Sequence, residues 1–382
     1  ESPRPYIIIQ LSLWFSSVGL LSRTVKLMFG KLPSVLFLFL GSIPIFSSSI
    51  LFSSYMFGST LSVLFWALSL IFIEKYASNG NNLYYWLSYL FLTFGLLSLE
   101  IIMPLLLFNI FLPLIVENHG KHKKYSNPIK IKFMYFTPII LLMVLFFIFK
   151  VFITDFYISN SGNNYTYGLS VSIKSFFQSI YYLFALVFEI PIMLIETIPF
   201  LFNLRTVLLF ALISIFFIYL AIFKPLDWIR YDSFEDKRRA TDFFNLIIVG
   251  IFFCSTVFFL SGYPAVTFGH YNKMMMPTHF LGCILISCLF NNMLIRERIV
   301  ATVLFFVLWS SSMVVQVDKF IDSWEIRKTV LSDCTEKLNN TDLGNEPYLI
   351  ASVPFFTDNN YNNEHVFWLS WDFSSGLKIF GS

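Results

Sequence analysis

Charge is what this chain has least of. Only 13% of its 382 residues are charged, against 57% that are hydrophobic, and mean hydropathy is +0.71. Long apolar runs recur throughout, which excludes an ordinary soluble domain and points to an all-α polytopic membrane protein. Short alternating segments are missing, so a membrane β-barrel is excluded as well. The net charge of +3 is too small to suggest a nucleic-acid partner. Cysteine is scarce too, at four residues. Cys254, Cys283 and Cys288 lie in apolar runs and read as inert core residues, while Cys334 stands alone in a polar region. Their spacing gives neither a disulfide framework nor a metal site. Phosphate-binding glycine loops, a zinc-protease helix and a serine-hydrolase elbow are all missing, which leaves any chemistry to scattered residues at the membrane faces. The opening at Glu1 carries no basic stretch ahead of an apolar core and does not read as a signal peptide.

What is present is a succession of about ten apolar spans: 5–22, 33–51, 54–73, 83–99, 101–116, 132–154, 204–223, 242–260, 277–294 and 298–315. Several fall short of the ~20 residues that cross a bilayer, so tilt or re-entry is expected. Pro44 and the serines at 47–49 mark the second span as a broken helix. The run 83–116 is interrupted by Glu100 and Pro104, which predicts two spans joined by a tight turn at Leu97–Pro104.

The few charges are unevenly placed. Arg23, Lys26 and Lys31 follow the first span; Lys121, Lys123, Lys124, Lys130 and Lys132 lie around the fifth connection. Lys224, Arg230, Lys237, Arg238 and Arg239 sit between spans seven and eight, and Arg296 and Arg298 between nine and ten. Ten alternating spans put all four groups on one side, which the positive-inside rule makes cytoplasmic. Residues 155–203, 261–276 and 316–382 then face outward. So does Glu1, which predicts a preceding helix and outer loop.

The expected organisation is a transmembrane domain over 1–315 and an outer subdomain over 316–382. Within the first, 155–203 reads as an interfacial or re-entrant segment, with a further pair of short spans as the alternative. The second reads as a helix near 318–337 followed by strands at 348–353 and 365–369, a small α+β tail.

The outward candidates for chemistry are Arg4, Glu100, Asp155, Glu189, Glu196, Arg205, His270, Lys273 and His279. A carboxylate at a low-dielectric face serves as a general base, and cations there hold a phosphate and stabilise it as a leaving group. The stretch SGYPAVTFGHYNKMMMPTH, 261–279, concentrates polar groups between two apolar runs; His270 and Lys273, beside Tyr271 and Asn272, face an anionic group in this reading. Arg4 has a plain alternative as a lipid-phosphate contact. Glu189 and Glu196 have one as the wet face of an interfacial helix, Glu100 as a solvated interface residue, and His279 as a hydrogen-bonded helix-start residue.

Four features together resemble the C-type (GT-C) glycosyltransferases of membranes, which use polyprenyl-phosphate sugars. Arg4–Pro5 opens the first span; IPIFSSSILFSSYMFGSTLSVLFWALSL is similar to their second and third spans; LLSLEIIMPLLLF is similar to their tight span pair with an acid in the turn; HYNKMMMP is similar to a basic–aromatic–proline motif before a late span. The serotype-converting O-antigen glucosyltransferases of lipopolysaccharide are the nearest type. The resemblance implies an inverting transfer from a polyprenyl-phosphate sugar to a polysaccharide or lipid-linked acceptor. Glu100 and Glu189 are the catalytic candidates. Arg4, Arg205, His270 and Lys273 are the donor-phosphate candidates, and Tyr271, Asn272 and His279 the substrate-binding ones. It also implies a principal acid in a first outer loop that this sequence does not contain. No nucleotide or other cofactor is implied; some relatives use a divalent metal, but no ligand set shows here. The implied location is a bacterial inner membrane with a periplasmic site. The sequons at Asn164 and Asn339 fit the endoplasmic reticulum as the alternative. A flippase or transporter of lipid-linked sugars and a non-catalytic scaffold are the competing functions.

Overall fold

A computed structural model of the chain describes residues 4–44, 57–119, 128–149, 234–261, 275–291 and 295–339, with the isolated residues Ile195 and Ile198. Nearly all of these are helical, and there is no strand among the described residues. The helices are α1 (Arg4–Phe29), α2 (Lys31–Ser42), α3 (Phe57–Asn79), α4 (Asn82–Ser98), α5 (Leu106–His119), α6 (Pro128–Phe149), α7 (Phe234–Ser261), α8 (Met276–Asn291) and α9 (Ile295–Asn339). A 3-10 turn, Glu100–Leu105, joins α4 to α5.

Three stretches among the described residues are long and apolar enough to cross a membrane: Ile7–Phe29, Phe57–Asn79 and Val300–Asp318. Lys31–Ser42, Ile101–Glu117, Phe133–Phe146 and Met276–Asn291 are apolar but shorter. The expected span 204–223, the segment 155–203 apart from two residues, and the strands at 348–353 and 365–369 lie outside the described residues.

Two turns are set by glycine and asparagine. Gly30, at φ 91°, lets α1 fold back into α2, because a side chain is disfavoured in that left-handed region. The Ser34 hydroxyl then donates to the Ser22 carbonyl at 2.8 Å and ties the hairpin. Asn81 caps α4 by accepting from the Leu83 N–H at 2.9 Å, after Gly80 at φ 66° ends α3. Between α3 and α4 the packing is the most extensive in the bundle, and small residues allow it. A Cβ on Gly95 would lie 3.1 Å from the Ser62 carbonyl and 2.7 Å from Ile102 Cδ1. Without a hydrophobic drive between helices in lipid, such close approach is what holds two helices together.

The core draws on each of the described helices. Trp14, Trp66, Trp309, Phe108, Phe243 and Phe280 are buried at its centre. Rings interlock across elements, as with Phe29 on Phe243 at 5.5 Å and Trp66 on Phe108 at 5.9 Å.

Two elements differ from expectation in their limits. Of the second expected span, 33–51, residues 33–42 are helical and 45–51 lie outside the described residues. Ile43 is extended, at φ −101° and ψ 103°, because the ring of Pro44 disfavours a helical residue before it. At its other end the bundle carries α9, a single helix of 45 residues. At 1.5 Å per residue it is ~67 Å long, about twice the ~30 Å hydrocarbon thickness. The expected span 298–315 and the expected helix near 318–337 are therefore one unbroken element, and residue 316 falls inside it. Past the apolar stretch, Glu325, Lys328, Thr329, Ser332, Asp333 and Glu336 are exposed.

Candidate functional site

Contacts between helices fix which ends of the bundle coincide. Trp14 of α1 connects to Trp66 of α3 through His279 and Leu281 of α8 and Phe108 of α5, and further along the same two helices Arg23 and Glu74 approach to 3.9 Å, so α1 and α3 run in the same direction and begin at the same end. Gly58, at the start of α3, sits against the Ser98 carbonyl at the close of α4, since a Cβ there would lie 3.1 Å from it. The start of α1, the start of α3 and the α4–α5 connection thus share one end of the molecule.

That connection is built as the interruption by Glu100 and Pro104 predicts. The Leu99 N–H closes α4 on the Gly95 carbonyl at 3.1 Å, and Leu99 itself is extended. Glu100 then opens the 3-10 turn, whose Pro104 cannot donate a main-chain hydrogen bond. Ile101, Ile102 and Leu105 are fully buried, and the Trp66 indole N–H donates to the Leu105 carbonyl at 3.2 Å. Glu100 is therefore carried on an apolar wedge pressed into the core.

The second feature is the end of α2. The Leu40 carbonyl accepts from the Ile43 N–H at 3.3 Å and from the Trp309 indole N–H at 3.2 Å. One helix of the bundle thus stops within it after ~18 Å of rise, and α9 satisfies part of the broken end. His279, in the first turn of α8, lies beside this break and is completely buried. Its ring is 5.4 Å from Trp14 and 6.1 Å from Trp309, nearly parallel to the latter at 28°. Its Nε2 is 3.7 Å from Cys283 Sγ, one turn along α8, and the Gly41 backbone lies against the ring. His279 therefore links α1, α2, α8 and α9.

Of the residues singled out in the sequence, Arg4 begins α1 and Glu100 begins the 3-10 turn, which puts both on the shared end of the bundle. His279 sits deeper, among tryptophans. Glu189, Arg205, His270, Tyr271, Asn272 and Lys273 lie outside the described residues. Among the described residues, no three His, Cys, Asp or Glu side chains gather to hold a metal ion.

Sequence reasoning passed over a polar seam between α3, α4, α5 and α6. The Ser88 hydroxyl donates to the Ser69 carbonyl at 2.9 Å, so the 3.0 Å contact between the two hydroxyl oxygens takes its proton from Ser69. Both protons are then used, and Asn109 Nδ2 donates to Ser69 Oγ at 2.6 Å. This orients the amide and leaves Asn109 Oδ1 buried without a partner. Further along, the Tyr135 hydroxyl donates to Glu117 Oε1 at 2.5 Å. The available signal was a lone amide in LLLFNIFLP and an acid at the end of the same run; polar groups inside apolar runs are candidates by default.

No protein-family model, curated protein or solved structure matches this chain.

Proposed function

We propose that the chain is a multi-pass membrane glycosyltransferase of the C type. It moves a sugar from a polyprenyl-phosphate donor to a polysaccharide or lipid-linked acceptor. The observation that supports this best is the α4–α5 connection. Glu100 opens a turn whose next residues are buried in the core, at the bundle end where Arg4 begins α1. A carboxylate and a cation carried at one membrane face are what an acceptor hydroxyl and a lipid phosphate require.

In the proposed step a carboxylate, Glu100 or Glu189, takes the proton of an acceptor hydroxyl. The freed oxygen attacks the anomeric carbon of the donor sugar and forms the new glycosidic bond. The bond from that carbon to the lipid-phosphate oxygen breaks, with its electron pair leaving on the phosphate and the anomeric configuration inverting. Arg4, Arg205, His270 and Lys273 hold the departing phosphate, and Tyr271 and Asn272 contact the sugar. The burial of His279 favours an anchoring role beneath this site. The accompanying topology is ten alternating spans with the basic loops in the cytoplasm, in a bacterial inner membrane, with the site in the periplasm and O-antigen as the polysaccharide class. The endoplasmic reticulum is the alternative compartment.

The test is transfer of label from radiolabelled polyprenyl-phosphate sugars by the full-length protein in membranes. Label arriving on an acceptor, and lost with Glu100→Gln while the protein remains folded, is the expected result. Label that crosses the bilayer unchanged identifies a flippase instead.

A further inference from the structure

The helix α6 contains Pro138, which has no N–H to give to the carbonyl four residues back, that of Met134. In lipid no water replaces a lost partner, so an uncovered carbonyl needs another donor. A hydroxyl from α4 supplies it, and a second bonds the next carbonyl along. Tyr85 donates to the Met134 carbonyl at 2.9 Å, and Tyr89 donates to the Tyr135 carbonyl at 3.3 Å. The Tyr135 side chain is in turn bonded to Glu117 of α5. The Tyr76 hydroxyl of α3 also donates to Met134 Sδ at 3.4 Å, so four hydrogen bonds tie the residues just before the proline to α3, α4 and α5.

Beyond it the attachment changes. Tyr135 and Ile139 are the buried residues among those described in α6, at 0% and 2% exposure. Ile140, Leu141, Met143, Val144, Leu145 and Ile148 are all exposed. Of the described residues in this distal half, Leu142 and Phe146 pack against the core, each half-buried.

We propose that Pro138 is a hinge about which the distal half of α6, Ile140–Phe149, swings away from α4 and α5 and opens the bundle sideways to the acyl chains of the bilayer. Bending there breaks no main-chain bond at residue 138, because none exists. The carbonyls of Met134 and Tyr135 stay bonded to Tyr85 and Tyr89, which lie on the anchored side. Parting Leu142 and Phe146 from the core exchanges protein contacts for lipid contacts of similar polarity, which costs little. A change of ~20° at a proline kink, acting over the ~15 Å of a ten-residue half-helix, moves the Phe149 end by about 5 Å.

The helices α4 and α6 run parallel, since Tyr85 and Tyr89 meet Met134 and Tyr135 in the same order. Spin labels can therefore be paired at matching levels. Leu97 and Leu145 lie on the distal side of the hinge, and Leu83 and Phe133 on the anchored side; all four are exposed. Cysteines at these positions, in a Cys334→Ser background, are labelled selectively, because Cys254, Cys283 and Cys288 are buried. Pulsed electron-electron distance measurements in lipid vesicles should give a broad or two-component distribution for 97–145 and a narrow one for 83–133. Pro138→Ala, which restores the N–H, should narrow the first and leave the second alone. Equally narrow distributions for both wild-type pairs overturn the hinge, and they do so without the variant. A broad 97–145 distribution that persists in folded Pro138→Ala overturns the assignment to Pro138.

Discussion

The bond from Tyr85 to the Met134 carbonyl should be worth something only because Pro138 is where it is. Tyr85→Phe removes the hydroxyl and leaves an acceptor that the main chain cannot satisfy. A typical intramolecular hydrogen bond contributes ~0.5–1.5 kcal/mol net, and orphaning a buried acceptor costs about 1–3 kcal/mol. Tyr85 is half-buried, so the lower range applies, and measured couplings inside membrane bundles also average nearer ~0.6 kcal/mol. Tyr89 is almost fully buried, at 6% exposure, but its bond is longer at 3.3 Å. In a Pro138→Ala background the new N–H bonds the Met134 carbonyl directly, and the Tyr85 hydroxyl becomes redundant. Reversible unfolding in mixed detergent–lipid micelles, run on wild type, both single variants and the double variant, measures the coupling. Tyr85→Phe should cost about 1 kcal/mol with Pro138 present and close to nothing once Pro138→Ala has been made. An equal cost in the two backgrounds refutes the reasoning.

Two further outcomes follow from packing. Gly95→Ala places a methyl 2.7 Å from Ile102 Cδ1 and 3.1 Å from a main-chain oxygen; the same unfolding assay should show a loss of about 1–3 kcal/mol, with Gly282→Ala, where nothing lies within 4 Å, as the mild control. Asn109→Leu removes a buried amide that has one bonded donor and one unpartnered oxygen; stability should change by under about 1 kcal/mol, because deleting an unsatisfied group offsets the lost bond. A loss of several kcal/mol would show that Oδ1 has a partner, such as a bound water or ion.

The helices were legible in the sequence wherever apolar runs met a strong local signal. Glu100 and Pro104 marked the α4–α5 connection, and Pro44 marked the break that ends α2, because both act through the backbone within a few residues. That the span 298–315 and the helix near 318–337 are one element was not legible from hydropathy. Its apolar part ends near Asp318, yet the helix continues to Asn339, since charged residues propagate a helix as readily as apolar ones. The polar seam was equally hidden. Ser69, Ser88 and Asn109 come from three helices, and nothing in their spacing tells that they meet. The same holds for Tyr85, whose purpose depends on a proline in another helix. Of the proposed site, the sequence marked Arg4, Glu100 and His279, and tertiary contacts then separated them: two at one end of the bundle, and the third buried beside the broken helix.

The most direct test of the proposed activity is sugar transfer in native-like membranes. Full-length protein is given a radiolabelled polyprenyl-phosphate sugar and acceptor-bearing membranes, with Glu100→Gln and Lys273→Ala run alongside at matched folded amounts. Label is expected on a polysaccharide or lipid-linked acceptor, with both substitutions lowering transfer at least ~100-fold, the scale of a lost general base or oxyanion-type contact. Full transfer by Glu100→Gln would remove the α4–α5 connection from the chemistry, and no transfer from any polyprenyl-phosphate donor would contradict the glycosyltransferase reading.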